Sequence, residues 1–232
     1  MGLYDRNYTD TQATYNEAVA QQDTALVNFV KTTYKFFGAS LLFATLGALF
    51  GFMYFEAVMQ YRLIIYIAEF AALFGLIFSR NKPGLNIAML FIFTTLTGVT
   101  ITPLIGMVAY KAGASAVAMA FGMTTIVFGA MSIFALKTTK DLANMGKMLF
   151  VALIVVIIGS LINLFLGSSM FQILISSAAV LLFSLYVAYD TQNIVRGLYA
   201  SPVEAAIALY LDFYNILVHI LSLIGILSGD RD

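Results

Sequence analysis

Seven apolar stretches follow one another through this chain, each about long enough to cross a ~30 Å hydrocarbon core at ~1.5 Å per residue, with only short polar breaks between them. A chain built this way has few options. In hydrocarbon every backbone N–H and C=O must be satisfied internally, so stretches of this length fold as membrane-spanning helices. The expected fold is an all-α integral membrane protein with seven transmembrane helices. Spans are placed near 34–55, 61–79, 85–109, 114–136, 147–167, 171–193 and 203–227, which makes 34–229 the membrane domain and 230–232 a short tail. The breaks fall at Gln60 to Arg62, Arg80-Asn81-Lys82-Pro83-Gly84, Tyr110 to Gly113, Lys137 to Lys147, Gly167 to Ser169 and Arg196 to Pro202. The Gly-Ser-Ser break carries no charge. Without it, on the order of forty apolar residues would run on, too many for one helix.

Composition agrees and narrows the function. The chain is 61% hydrophobic and 10% charged, with a mean hydropathy of +0.93, far from the balance of a soluble domain. Its 12 basic and 12 acidic residues cancel, so there is no basic excess to bind nucleic acid. The absence of cysteine excludes disulfides and thiolate metal sites. With no Trp, an interfacial belt falls to tyrosines, and Tyr34, Tyr54, Tyr61, Tyr110 and Tyr210 lie near predicted span ends.

Residues 1–33 are polar, with Asp5, Arg6, Asp10, Glu17, Asp23 and Lys31, and lack the pattern of a secretory signal. They are expected to form a cytoplasmic tail, irregular or lying on the membrane surface. With the N-terminus inside, nine of the 12 basic residues fall on cytoplasmic segments, leaving Arg62, Lys111 and Arg231 outside. That bias places the N-terminus in the cytoplasm and the C-terminus outside.

Asp190 and Asp212 lie inside the last two apolar stretches, where an ionised carboxylate costs several kcal/mol or more. Ser201-Pro202-Val203-Glu204 reads as a capping box with Pro at the first helical position, fixing the start of span seven. Asp212 then sits about 16 Å along the axis from its cap, and Asp190 about 9 Å before Arg196. Both acids therefore lie in the cytoplasmic half of antiparallel neighbours. Two carboxyl groups that meet in low dielectric do not both ionise cheaply, so such a pair holds one shared proton and titrates as a unit. The alternative is that each Asp separately bonds a neighbouring Ser, Thr or Asn.

Asp212, Asn215, His219 and Ser222, spaced by three, four and three, form a polar stripe on span seven, which implies a helix enclosed by the others. His219 is the only histidine and reads as a satisfied core residue rather than a zinc ligand. Glu69 is the other acid well inside a span. Arg80 closes the same span, placed either to reach the aspartates or to anchor in lipid phosphates. In span three, Thr94, Thr95, Thr97, Thr100 and Thr102 precede Pro103, and their hydroxyls are expected to satisfy backbone groups freed by the proline. Asn163 reads as glue between helices, and Lys137 to Asp141 as a cytoplasmic loop.

Several of these segments resemble the Bax inhibitor-1 (transmembrane Bax-inhibitor-motif) family in its bacterial, YccA-like branch. They are Ser184-Leu185-Tyr186 through Tyr189-Asp190-Thr191-Gln192-Asn193-Ile194, Leu209-Tyr210-Leu211-Asp212-Phe213-Tyr214-Asn215-Ile216-Leu217, and Ile224-Gly225-Ile226-Leu227-Ser228. Glu69 with Arg80, Gly98 to Pro103, and Lys137 to Asp141 fit as well. The resemblance implies six helices wrapped around a central last helix. It also implies a pH-sensitive calcium leak in a bacterial inner membrane, gated by Asp190 and Asp212 with Arg80 nearby. Glu69, Asn215 and His219 are then candidate path residues, and the two aspartates would hold calcium transiently. No cofactor is implied; the expected partners are the lipid bilayer, calcium ions and protons. Some YccA-like proteins lack both acids and act as partners of a membrane-bound protease, which makes a regulatory role the alternative. An intramembrane aspartyl protease is disfavoured, because Leu209-Tyr210-Leu211-Asp212 lacks the glycines expected before a second catalytic Asp and no Pro-Ala-Leu follows. The chain is therefore not expected to be an enzyme.

Overall fold

The computed structural model describes residues 3–229 and contains seven helices long and apolar enough to cross a membrane. Met1, Gly2 and the tail at 230–232, with the Arg231 counted in the charge bias, lie outside the described residues. The helices are α1 (Leu3–Met53), the short α2 (Phe55–Gln60), α3 (Arg62–Ser79), α4 (Leu85–Thr100), α5 (Thr102–Ala112), α6 (Ala114–Lys137), α7 (Gly146–Leu166), α8 (Ser169–Val195) and α9 (Pro202–Leu227). α4 and α5 together make one span, and a 3-10 turn at Ala143–Met145 leads into α7.

The polar N-terminal segment differs from its expected form. α1 begins at Leu3 and runs without a break through the first span to Met53. From Leu3 to Phe37 the sequence holds neither Gly nor Pro, so nothing stops the helix at the polar-to-apolar boundary. Polarity marks where a helix leaves the membrane, not where it ends.

α1 packs along α4 on a stripe of small residues. A Cβ at Gly98 would lie 1.9 Å from the Ala44 carbonyl oxygen, and one at Gly47 2.1 Å from the Thr95 carbonyl oxygen, both far inside van der Waals contact. The two backbones touch, as small residues permit in helix pairs that gain nothing from excluding water. Nearby, Pro103 has no N–H to give the Val99 carbonyl four residues back. The Thr102 hydroxyl donates to that oxygen instead, at 2.8 Å.

α9 is the central helix. It packs against α1, α5, α6 and α8 and touches α4, while α3 sits chiefly on α4 and α7 on α8. Around its C-terminal half, Ile216, Leu217, Ile220 and Leu221 bury against Val108, Ala120, Phe183 and Val187. Around its N-terminal half, Leu209 and Tyr210 bury against Phe37, Phe93 and Ile194. Ser201 caps its start, accepting a hydrogen bond from the Glu204 N–H at 3.1 Å. Gly167, in the left-handed region at φ 61°, ends α7, and Ser168 caps α8 by accepting from Phe171 N–H. The uncharged break is thus a helix stop followed at once by a helix start. These two caps set α8 and α9 antiparallel, with Asp190 and Asp212 at matching depth.

Candidate functional site

Asp190 projects from the last turns of α8 and Asp212 from the middle of α9. Both are buried, at 5% and 3% exposure, and their carboxyl groups lie within hydrogen-bonding reach of one another. Asp190 has a second partner. Tyr199, in the connection between α8 and α9, donates its hydroxyl to Asp190 Oδ1 at 2.7 Å. Burial, and then the charge of Asp190, push the Tyr199 phenol well above its ordinary value, so it remains a protonated donor. Asp212 Oδ2 is buried without a partner among the described residues. The arrangement is a carboxyl pair with one hydroxyl donor on one side and an unsatisfied oxygen on the other. An unsatisfied buried oxygen is costly, and a proton or a cation relieves it.

Arg80 does not join this pair. It caps α3, is exposed, and lines a cleft with Asn86, Ser201, Glu204, Ile207 and Leu211, because α3 packs on α4 and not on α8. Among the described residues the only ion pair is Arg196–Asp141, at the C-terminal end of α8. The position expected for a guanidinium beside Asp190 is taken by the Tyr199 hydroxyl.

Glu69 is also apart from the aspartates. It lies near Thr100 of α4 and near Tyr210 and Tyr214, on the face of α9 turned away from Asp212. The threonine run serves these tyrosines. Thr97 and Tyr210 share a hydroxyl contact, Tyr214 donates to the Thr97 carbonyl at 3.3 Å, and the Thr100 and Tyr214 hydroxyls lie 3.5 Å apart. α9 thus carries tyrosines toward α4 and acids toward α8.

The polar stripe beyond Asp212 is interrupted. Asn215 turns back to donate to the Leu211 carbonyl of its own helix at 2.7 Å. His219 Nδ1 lies 3.3 Å from the Ser176 hydroxyl, and its ring stacks on Phe183. From there a network runs through Ser176, Ser222 and Gln172 to Asn163, whose Oδ1 accepts from Ser168 N–H. Val187, Phe183 and Ile216 pack between this network and the acid pair. No group of three metal-ligating side chains occurs among the described residues.

Two residues of the site escape a reading by sequence. Tyr199 gives no signal other than an aromatic in the short link between two acid-bearing helices. Gln192, two positions after Asp190, accepts the Leu142 N–H at 2.7 Å and donates to the Lys140 carbonyl at 3.0 Å, fastening the loop between α6 and α7 to α8.

The whole bundle, residues 26–229, matches the family model described as Inhibitor of apoptosis-promoting Bax1. The chain belongs to the Bax inhibitor-1 family. Among its relatives, a Helicobacter pylori protein is 62% identical over the full length of both chains. A Campylobacter jejuni protein is 43% identical over 97% of both. The Escherichia coli protein called Modulator of FtsH protease YccA is 33% identical over 71% of this chain and 76% of its own. This Bax inhibitor-1 family member is a multi-pass membrane protein with its acid pair between the two helices that carry the family-like motifs.

Proposed function

We propose that the protein is a pH-sensitive cation leak of the membrane, with calcium as the cargo, gated by Asp190 and Asp212. The observation that carries this reading is the buried carboxyl pair itself: two acids at hydrogen-bonding distance, no basic side chain beside them, and one oxygen without a partner. With one shared proton, a carboxyl–carboxyl hydrogen bond ties α8 to α9. With both acids ionised, repulsion in low dielectric is relieved by a cation or by a change of helix packing. Val187, Phe183 and Ile216 then form the dry section a cation must cross, and the His219 network receives it beyond. The reading needs no enzymatic step. In the cell the N-terminus would be cytoplasmic and the C-terminus outside, so a reporter fused after Asp232 should be active only on the outer side.

Calcium flux into liposomes holding the purified chain, followed with an internal dye across pH, tests the proposal. Flux that varies with pH in the wild type and loses that variation in Asp190→Asn supports it; a wild type that carries no cation at any pH rules it out.

A second reading is that the chain modulates a membrane-bound protease, as the YccA relative is named for doing to FtsH. The loop fastened by Gln192 offers a cytoplasmic surface placed near the acid pair. Co-isolation with an FtsH-type protease that survives Asp190→Asn and Asp212→Asn, with no flux in the wild type, would favour this role.

A further inference from the structure

The Tyr199 ring stands between the acid pair and a cavity of about 340 Å³ at the cytoplasmic end, lined by Ala143, Tyr189, Asn193, Leu198, Tyr199 and Glu204. Two features of this vestibule lack a structural use. Asn193 is only 7% exposed, yet its Oδ1 has no hydrogen-bond partner among the described residues. Glu204 brings a carboxylate whose backbone, not its side chain, serves the helix cap. Glu204 also lines the cleft of Arg80, but forms no ion pair with it among the described residues. Asn193 and Glu204 both line this small cavity, with the Asn193 oxygen buried behind its wall, and an amide oxygen and a carboxylate are hard donors of the kind that hold calcium, magnesium or manganese.

The cover has the properties of a movable part. Between Gly197 and Ala200, the only side-chain hydrogen bond among the described residues is Tyr199 to Asp190. Breaking that single contact frees the phenol from the pair, while the backbone bonds Gly197 N–H to Ile194 and Leu198 N–H to Asn193 keep the α8 terminus intact.

We propose that the vestibule receives a divalent cation on Asn193 Oδ1 and the Glu204 carboxylate, and that Tyr199 is the cover that leaves Asp190 to pass it to the acid pair. The vestibule is a binding site in its own right. Its role as an entry rests on the leak reading above.

The test separates the two. Manganese binding to the purified full-length chain is measured by electron paramagnetic resonance, alongside calcium flux in liposomes. Glu204→Gln and Asn193→Ala should each weaken manganese binding about tenfold, as expected for loss of one charge-assisted or ion–dipole contact. Tyr199→Phe, which keeps the ring and removes only the hydroxyl, should leave manganese affinity unchanged and raise flux on the order of tenfold by removing a hydrogen bond to a charged group. The chain has no cysteine, so Ala200→Cys places a single thiol at the vestibule wall. Manganese should slow its modification by a water-soluble thiol reagent, and should not do so when Glu204→Gln is added.

Wild-type manganese affinity in both Glu204→Gln and Asn193→Ala overturns the vestibule, as does thiol modification indifferent to manganese. Flux lowered or unchanged by Tyr199→Phe overturns the cover. Should Tyr199→Phe fail to fold, Tyr199→Leu, which likewise lacks any donor, is read by the same criteria. Manganese binding that follows the expected order in a chain carrying no calcium flux overturns the leak and leaves the site standing.

Discussion

Gln192 holds Leu142 by the backbone across 50 positions of sequence, accepting its N–H at 2.7 Å while donating to the Lys140 carbonyl. One side chain thereby fixes the loop between α6 and α7 to the same helix turn that presents Asp190. Replacing Gln192 with Leu leaves the buried Leu142 N–H unsatisfied, at a cost of about 1–3 kcal/mol. The Thr138–Leu142 segment should then be cut faster by a protease added to detergent-solubilised protein, with the rest of the bundle intact. Wild-type cleavage rates would show that the loop is held elsewhere.

The neighbouring Arg196–Asp141 contact sets the acid limit of that attachment. Hydrogen bonding from Arg196, and next from the Ala143 N–H, holds the Asp141 carboxyl below its ordinary value. A depressed carboxylate stabilises the fold above its unfolded pKa and loses that contribution as pH falls through the lower, folded value. The contact therefore persists from neutral pH to below about 4. Loop cleavage should be flat across pH 5–8 and rise only in stronger acid; a rise near pH 6 would contradict this. Since both side chains are exposed, Asp141→Asn should scarcely alter thermal stability.

If Asp190 and Asp212 act as one titrating unit, their mutations will not add. Asp190→Asn, Asp212→Asn and the double mutant should each abolish the pH dependence of calcium flux, and the double should differ little from either single. A wild-type pH profile in either single mutant would make the acids separate polar staples.

Arg80 gives the opposite expectation. It contacts neither aspartate, so Arg80→Ala should leave the pH profile of flux in place. A shifted profile would require a second packing in which α3 moves toward α8.

Gly98→Leu forces a side chain into the Ala44 carbonyl. Overpacking at a backbone contact costs about 1–3 kcal/mol or more, to be read as a lower midpoint of thermal unfolding in detergent. Gly122→Ala, where a Cβ meets nothing within 4 Å, is the control.

The seven spans and the depth of the aspartates were legible because both rest on local quantities: apolar length, helix caps and rise per residue. The matching depth of Asp190 and Asp212 was legible from the Ser201 cap and the short link that follows Arg196. For Arg80 the sequence left two alternatives open, the aspartates or lipid phosphates, because depth along a helix says nothing about which neighbour that helix packs on; α3 packs on α4, away from the aspartates. Tyr199 and Gln192 gave no signal, since a linker aromatic and a helix-end amide acquire meaning only from partners distant in sequence or across a turn. The threonine run was read as serving the proline, yet only Thr102 does so directly; Thr97 and Thr100 found tyrosines on the central helix.

The backbone contact of Gly47 and Gly98 with their opposite helices also has a mechanical consequence. The two contacts, Ala44 with Gly98 and Gly47 with Thr95, lie three residues apart on each helix, about 4.5 Å at the rise of an α-helix, and lock the register of α1 against α4, so this pair acts as a stator. α8 meets α9 through side chains, several of them polar, and is not keyed in this way. Any motion that the acid pair drives is therefore a displacement of α8 against a frame that stays still, and it carries the attached α6–α7 loop with it.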